Sequence, residues 1–212
     1  MIRLLALLVA LLPMPGLAQE HFPALYSATG VAADDVLNVR AEPSASAPII
    51  GAFGPVQSSI EVIAAPTGGW GQVNTGEASG WVSMRFLRRA PGQEWEPGGT
   101  LGISPVPLEC FGTEPFWSLH LSDGDLMTFT DPFDGDGAPQ PGIFSPVWGS
   151  ASTAKFGFTG SRDDGQAYFT GILSRALCSD GMSDRLYGLS IDLVRETPLG
   201  TRLDTGCCRL AP

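Results

Sequence analysis

Four cysteines are the residues of this chain with the most evident chemistry. They are Cys110, Cys178, Cys207 and Cys208. A cysteine nucleophile needs an imidazole base beside its thiol, and the chain has only His21, near the N-terminus, and His120, which follows Cys110 on a separate segment. The C-x-x-C pairs that are typical of structural zinc sites are absent from the sequence. The cysteines are therefore predicted to form disulfides rather than a catalytic or zinc centre.

The adjacent cysteines near the C-terminus restrict how the disulfides can form. Successive side chains of a strand point to opposite faces, so Cys207 and Cys208 should reach different partners. This favours Cys178–Cys207 and Cys110–Cys208, with the swapped arrangement as the alternative. A bridge between the two neighbours themselves would be sterically strained.

Three carboxylates accompany these cysteines in two short motifs: Glu114, Asp180 and Asp184. They could meet if the turn after Cys178 packs on the Glu114 segment, and glycosidase chemistry would need two of them on opposite sides of a cleft. The structural interpretation is that the aspartates accept backbone N–H bonds in Asx-type turns, while Glu114 pairs with Arg185 or caps a loop. We favour the structural interpretation and assign no catalytic residue.

A second acidic group could bind calcium. It contains Asp131, Asp134 and Asp136, with glycines between and after them. The spacing fails the EF-hand pattern because position 138 is alanine and no glutamate closes the loop. The segment 131–142 is therefore predicted to be an exposed acidic loop, and no metal or other cofactor is expected.

The first 18 residues resemble an export signal in composition. Arg3 precedes a short apolar run, Leu4–Leu12, and Leu17-Ala18 offers a cleavage site with a small residue. A run of this length is too short to span a bilayer core, which needs about 20 residues. Residues 1–18 are predicted to be a signal peptide, so the protein should be periplasmic or secreted, without membrane insertion, where disulfides persist.

The overall composition excludes some partners and favours a fold class. With 22 acidic against 12 basic residues the net charge is −10, which repels phosphate backbones and excludes nucleic acid as a partner. The 27 glycines and 18 prolines favour short strands joined by turns over helices.

Turn residues divide the chain into short strands that must position these groups. Phe116–Leu121 and Leu126–Thr130, for example, are predicted to be a hairpin with Asp123-Gly124 at its turn. The segment 89–107 is rich in Pro and Gly and has no period, so it is predicted to be a linker. We predict an all-β protein with a small barrel over 25–88 and an antiparallel, disulfide-stapled domain over 108–212. Trp95 of the linker could dock on either domain.

One ordered set of residues resembles the bacterial SH3-like domain. It comprises Leu37-Asn38-Val39-Arg40, Pro43, Gly69-Trp70 with Val73, and Gly80-Trp81-Val82 before Phe86-Leu87. The resemblance covers about residues 25–88 and implies a small, strongly bent barrel. Members of that family are often envelope modules thought to hold cell-wall material or peptides, which makes Trp81, Asn38 and Arg40 the candidate ligand-binding residues. Trp70 is predicted to pack in the core.

The second half resembles an uncharacterised family of bacterial envelope proteins. The motifs are Gly112-Thr113-Glu114-Pro115-Phe116-Trp117, the segment Cys178–Asp184, and Gly206-Cys207. The resemblance implies a β-rich domain without an established activity, in which Glu114, Trp117, Asp180 and Asp184 are structural. Such sequences usually have proline after the tyrosine, whereas here Gly188 follows Tyr187.

Together these observations favour an exported, non-catalytic envelope protein. Its SH3-like module would bind a cell-wall peptide or glycan (peptidoglycan) or an envelope protein. The alternative is a cell-wall hydrolase, or a regulator of one, that uses the cluster Glu114, Asp180 and Asp184.

Overall fold

A computed structural model describes residues 21–66, 68–93, 95, 104, 106–132, 137–147, 154–162, 167–197 and 200–211. These residues form mainly strands and turns, with a short 3₁₀ helix at Met84–Phe86, so the all-β prediction is confirmed. None of the described helices is long and apolar enough to cross a membrane. The predicted signal peptide, Asp134 and Asp136 lie outside the described residues.

The N-terminal domain consists of two small sheets packed against each other. Its strands are β1 (Ala24–Ala28), β2 (Leu37–Arg40), β3 (Ile49–Phe53), β4 (Ile60–Val62), β5 (Trp70–Thr75), β6 (Ala78–Ser83) and β7 (Leu87–Arg89). One sheet has the order β4-β1-β7 and the other β3-β2-β6-β5. Alternation along β2 buries Leu37 and Val39 and directs Asn38 and Arg40 outward. The core consists largely of aliphatic side chains.

The C-terminal domain is a closed antiparallel barrel of eight strands. They are β8 (Leu108–Thr113), β9 (Phe116–Ser122), β10 (Leu126–Thr130), β11 (Gln140–Val147), β12 (Lys155–Arg162), β13 (Ala167–Ser174), β14 (Leu189–Thr197) and β15 (Gly200–Leu210). The barrel order runs from β10 through β15 to β8 and β9. Closure leaves no free sheet edge on this domain.

Aromatic side chains fill the interior of this barrel. Phe129, Phe144 and Phe158 are fully buried, and the ring centroids of neighbouring pairs lie about 6 Å apart in tilted or edge-to-face arrangements. Glycine makes room for these rings, because a Cβ at Gly171 would lie 2.5 Å from the ring of Phe158. The interior is thus a packed core.

A buried ionic cluster lies inside the same barrel. Arg195 donates to both Asp131 and Asp204, and all three side chains are almost completely buried. Burial alone would lower the pKa of Arg195, but its hydrogen bonds to the two carboxylates raise it above the ordinary value. The prediction that Asp131 belongs to an exposed loop is therefore wrong, because its carboxylate compensates a buried guanidinium.

Both disulfides are present, in the favoured pairing. Cys110–Cys208 joins residues that face each other on β8 and β15. Cys178–Cys207 ties the segment between β13 and β14 to β15. The adjacent cysteines of β15 thus reach different partners, as the alternation of strand side chains requires.

The segment between the domains contains a buried anchor. Trp95 is 1% exposed and packs in the core of the C-terminal barrel, with its ring centroid 5.5 Å from that of Phe156. Its indole N–H donates to the carbonyl oxygen of Pro23, 2.8 Å away. One tryptophan therefore ties the segment to both domains.

Candidate functional site

A groove of about 610 Å³ lies on the N-terminal domain. It lies between the outward face of the four-stranded sheet, the loop that joins β1 to β2, and the 3₁₀ helix. Its lining residues are Gly30, Val31, Ala32, Asp35, Val36, Leu37, Asn38, Arg40, Ala45, Trp70, Ser83, Arg85 and Phe86. We call this cavity the SH3 groove.

Two of the three predicted ligand-binding residues line the SH3 groove. Asn38 and Arg40 reach it because both occupy outward positions of β2. The guanidinium of Arg40 donates to the carbonyl oxygen of Ala47 at 2.7 Å, which holds the side chain across the base of the following loop. These two residues supply an amide and a positive charge to the groove.

Both tryptophans lie on the outward faces of their strands, but only Trp70 lines the SH3 groove. Trp70 is half-buried, shares the outward face of β5 with Gln72, and lines the groove, so the prediction of core packing is wrong. Trp81 also points outward, half-buried and directly opposite Arg40 on β2, but it is not among the groove-lining residues. Alternation explains both positions, because the inward places of β5 and β6 are taken by Val73 and Val82.

The sequence analysis missed two residues on the opposite wall of the groove. Phe86 packs partly on the domain core and contributes an aromatic surface. The guanidinium carbon of Arg85 lies 4.4 Å from the centroid of that ring, a cation–π contact. Both residues belong to the 3₁₀ helix, which has no strand alternation to reveal its exposed side.

The first aspartate of the Cys178–Asp184 segment is engaged in a turn. One carboxylate oxygen of Asp180 accepts the N–H groups of Met182 and Ser183, each at 2.9 Å, and the other accepts the Ser183 hydroxyl at 2.8 Å. Burial raises the pKa of Asp180, but these hydrogen bonds outweigh it and hold the pKa below its ordinary value. Such a carboxylate stays ionised and is a poor general acid.

The other two carboxylates of the predicted cluster are exposed. The Thr113 hydroxyl donates to the carbonyl oxygen of Asp180 at 2.9 Å, so the segment that carries Glu114 does contact the turn. The predicted pairing of Glu114 with Arg185 is wrong, because Arg185 pairs with Glu77 of the N-terminal domain at 2.9 Å. Trp117 is buried in the core of the barrel.

The end of the motif segment also binds the N-terminal domain. Asp184 exchanges backbone hydrogen bonds with the β5–β6 hairpin, donating to the carbonyl oxygen of Glu77 and accepting the N–H of Ser79, each at 3.0 Å. The amide of Asn74 donates to the carbonyl oxygen of Leu186 at 2.8 Å and accepts the N–H of that residue at 3.2 Å. The motif segment therefore contacts both domains.

The interface also accounts for the unusual glycine after Tyr187. A Cβ at Gly188 would lie 2.9 Å from the Cβ of Pro23 in the N-terminal domain. That distance is shorter than a van der Waals contact, so a larger residue would separate the two surfaces. Gly188 permits the close packing of the two domains.

Groups of three or more side chains that could hold a metal ion do not occur among the described residues. All four cysteines are in disulfides. The described part of the chain thus offers a groove and a domain interface as its candidate sites.

Comparison with known proteins supports the family resemblance of the N-terminal domain. Residues 35–88 match the family described as Bacterial SH3 domain, and the match covers about a quarter of the chain. No curated protein and no solved structure matches. The resemblance of the N-terminal domain is confirmed over these residues, and the resemblance of the second half to an envelope family has no such support.

Proposed function

We propose that this protein is an exported binding protein whose SH3 groove holds a peptide or glycan of the cell wall, or an extended segment of an envelope protein. The observation that carries the proposal is the groove itself, since most of its lining lies within the residues that match the bacterial SH3 domain. Two disulfides support the location, because such bonds persist outside the reducing cytoplasm.

The composition of the groove suits an elongated ligand with mixed polarity. Trp70 and Phe86 provide aromatic surfaces against which apolar groups or sugar rings can pack. Asn38 and Arg40 add donors that can fix the orientation of a polar backbone. Aromatic residues with a few polar groups around them are the usual composition of a ligand site.

We further propose that the protein is not a hydrolase. Asp180 is committed to its turn, with a lowered pKa, and Glu114 and Asp184 are exposed to solvent. A glycosidase needs one carboxylic acid with a raised pKa to protonate the leaving group, and none of these three residues has the environment for it.

A pull-down on purified sacculi tests the binding proposal. Wild-type protein should sediment with the sacculi, and Trp70→Ala should weaken the binding by about tenfold or more, as expected for loss of an aromatic contact at the centre of a site. Trp81→Ala is the matched control and should bind nearly as well as wild type. Equal binding by all three proteins would contradict the assignment of the groove, provided that far-UV circular dichroism shows each variant folded.

The same samples test the hydrolase alternative. The supernatant should contain no soluble muropeptides after long incubation. Release of muropeptides that is abolished by Glu114→Gln would overturn the non-catalytic proposal. Purified envelope proteins cross-linked to the chain would identify a protein ligand if the sacculi are not bound.

A further inference from the structure

A second cavity, of about 250 Å³, lies between the two domains and away from the SH3 groove. Side chains from both domains line it, and most of them are polar. The lining residues are Glu61, Asn74, Gly76, Arg185, Tyr187 and Arg209. We call this cavity the interdomain pocket.

Two guanidinium groups are fixed on the wall of the interdomain pocket, although the chain as a whole is strongly acidic. Arg185 donates through Nε to the carbonyl oxygen of Gly76 at 2.7 Å and pairs with Glu77. Arg209 pairs with Glu109. The side chain of Glu77 is 80% exposed, so solvent screens that pair and it neutralises Arg185 only weakly. Arg209 meets Glu109 through two of its nitrogens, and because its side chain is 51% exposed, solvent screens that pair as well. Both arginines are thus held in place by ion pairs that solvent screens.

Glu61 is the acidic group of the pocket lining. One carboxyl oxygen of Glu61 accepts the N–H of Leu210 at 3.1 Å, across the domain interface. Burial raises the pKa of Glu61 to about 7, although the Leu210 N–H and the positive charge of Arg209 both lower it. The other ionisable groups on the pocket are Arg185 and Tyr187, and burial raises the pKa of Tyr187 above its ordinary value, so its hydroxyl is neutral.

We propose that the interdomain pocket binds a small oxyanion, a carboxylate or a phosphate-like group, at Arg185 and Arg209, and that Glu61 takes up a proton as the anion binds. Guanidinium groups are the preferred protein partners of both kinds of anion. A neutral Glu61 removes the like charge that would repel the anion and can donate its own hydroxyl proton. Domain interfaces are a common location for such sites.

Titration of the full disulfide-bonded protein with acetate and with sulfate, followed by two-dimensional NMR at pH 6, 7 and 8, tests this proposal. Both anions keep a constant charge over this range, so any pH dependence belongs to the protein. We expect saturable shifts at the amides of Asn74 and Leu210, with about tenfold weaker binding at pH 8 than at pH 6, because the protonated fraction of a group with a pKa near 7 falls by about that factor. Binding of acetate alone identifies a carboxylate ligand, and binding of sulfate alone a tetrahedral one.

Three variants sharpen the test. Arg209→Gln should weaken anion binding by about tenfold or more, Glu61→Gln should bind with little pH dependence, and Arg88→Gln, an exposed control on β7, should behave as wild type. The absence of saturable shifts at pH 6, pH-independent binding by the wild type, or full binding by a folded Arg209→Gln would each overturn the proposal. The SH3 groove takes no part in this measurement, so failure here leaves the proposed function standing.

Discussion

The two domains of this protein have hydrophobic cores that are built in different ways. The N-terminal domain has a core of small aliphatic residues, lacks disulfides, and leaves a groove on its surface. The C-terminal barrel closes on itself, is filled by aromatic rings and a buried ionic cluster, and carries both disulfides. The small domain therefore carries the proposed binding surface, and the large domain has the closed, disulfide-linked core.

The contrast also shows why barrel closure does not by itself create a ligand site. An eight-stranded barrel is just wide enough for its own side chains to fill it, and here Phe129, Phe144 and Phe158 do so. The N-terminal strands form two open sheets rather than a closed barrel, and the groove lies on the outside, between a sheet and a loop. The outward-facing residues of β2 and β5 consequently become available for binding.

The buried ionic cluster of the C-terminal barrel should give the largest effect. We expect Arg195→Met to lower the free energy of unfolding by about 3–5 kcal/mol, because the buried carboxylates of Asp131 and Asp204 would both lose their ion pair with the Arg195 guanidinium. Arg88→Met in the N-terminal domain should change it by less than about 0.5 kcal/mol. Urea unfolding followed by tryptophan fluorescence measures both free energies of unfolding. Similar values for the two variants would contradict the special contribution of the buried ionic cluster.

The two disulfides should differ in whether their removal also loosens the contact between the domains. Replacing Cys178 and Cys207 by serine should lower the free energy of unfolding by about 2–5 kcal/mol. It should also expose the backbone amides of Ser79 and Asp184 to hydrogen exchange, because this disulfide anchors the segment that binds the β5–β6 hairpin. Replacing Cys110 and Cys208 should destabilise the barrel without that local loss of protection. Equal protection of Ser79 in both double variants would show that the bridge does not hold the interface.

The contact between the domains should have an intermediate effect. Asn74→Ala removes both hydrogen bonds to Leu186. It should lower the free energy of unfolding by about 1–3 kcal/mol, because the Leu186 backbone groups lose these partners. Gln72→Ala, on the same face of the same strand, is the matched control. Calorimetry should show a single transition for wild type and the control, and two separated transitions for Asn74→Ala; coincident transitions in all three would argue against coupling through this residue.

The smallest effect should be a pH dependence of the interface. The raised pKa of Glu61, about 7, means that the folded protein binds a proton more tightly than the unfolded chain. Its contribution to stability is complete below pH 4.5 and is lost as the pH rises towards 7. The unfolding free energy should fall less steeply between pH 5 and 7 in Glu61→Gln than in wild type, and an unchanged slope would place the titration elsewhere.

Local patterns in the sequence predicted much of the fold. The hairpin around Asp123-Gly124 forms from Phe116–Ser122 and Leu126–Thr130, close to the predicted ends, because turn residues and alternation act over a few neighbours. The cysteine pairing follows from the same alternation. The strand Leu108–Thr113 was not predicted. The burial of Asp131 was not predicted either, because its partner, Arg195, lies 64 positions away in the sequence.

The candidate sites were predicted less completely for the same reason. Asn38 and Arg40 were found because they alternate with buried residues inside a motif, whereas Trp70 was assigned to the wrong side of its strand. The face of a strand that is buried depends on which sheet packs against it, and that packing is formed by segments far apart in the chain.

The sequence by itself determined the class of fold, the separate partners of Cys207 and Cys208, and the SH3-like residues of the N-terminal domain, since each depends on residue types or on spacings of a few positions. Only the tertiary structure decided that Asn74 meets Leu186, 112 positions away, and that Glu61 meets Leu210, 149 positions away. Such polar residues belong to no repeating pattern of buried and exposed positions in the sequence. Their contacts depend on which distant part of the chain packs over them. The interface and the pocket between the domains are therefore properties of the folded chain alone.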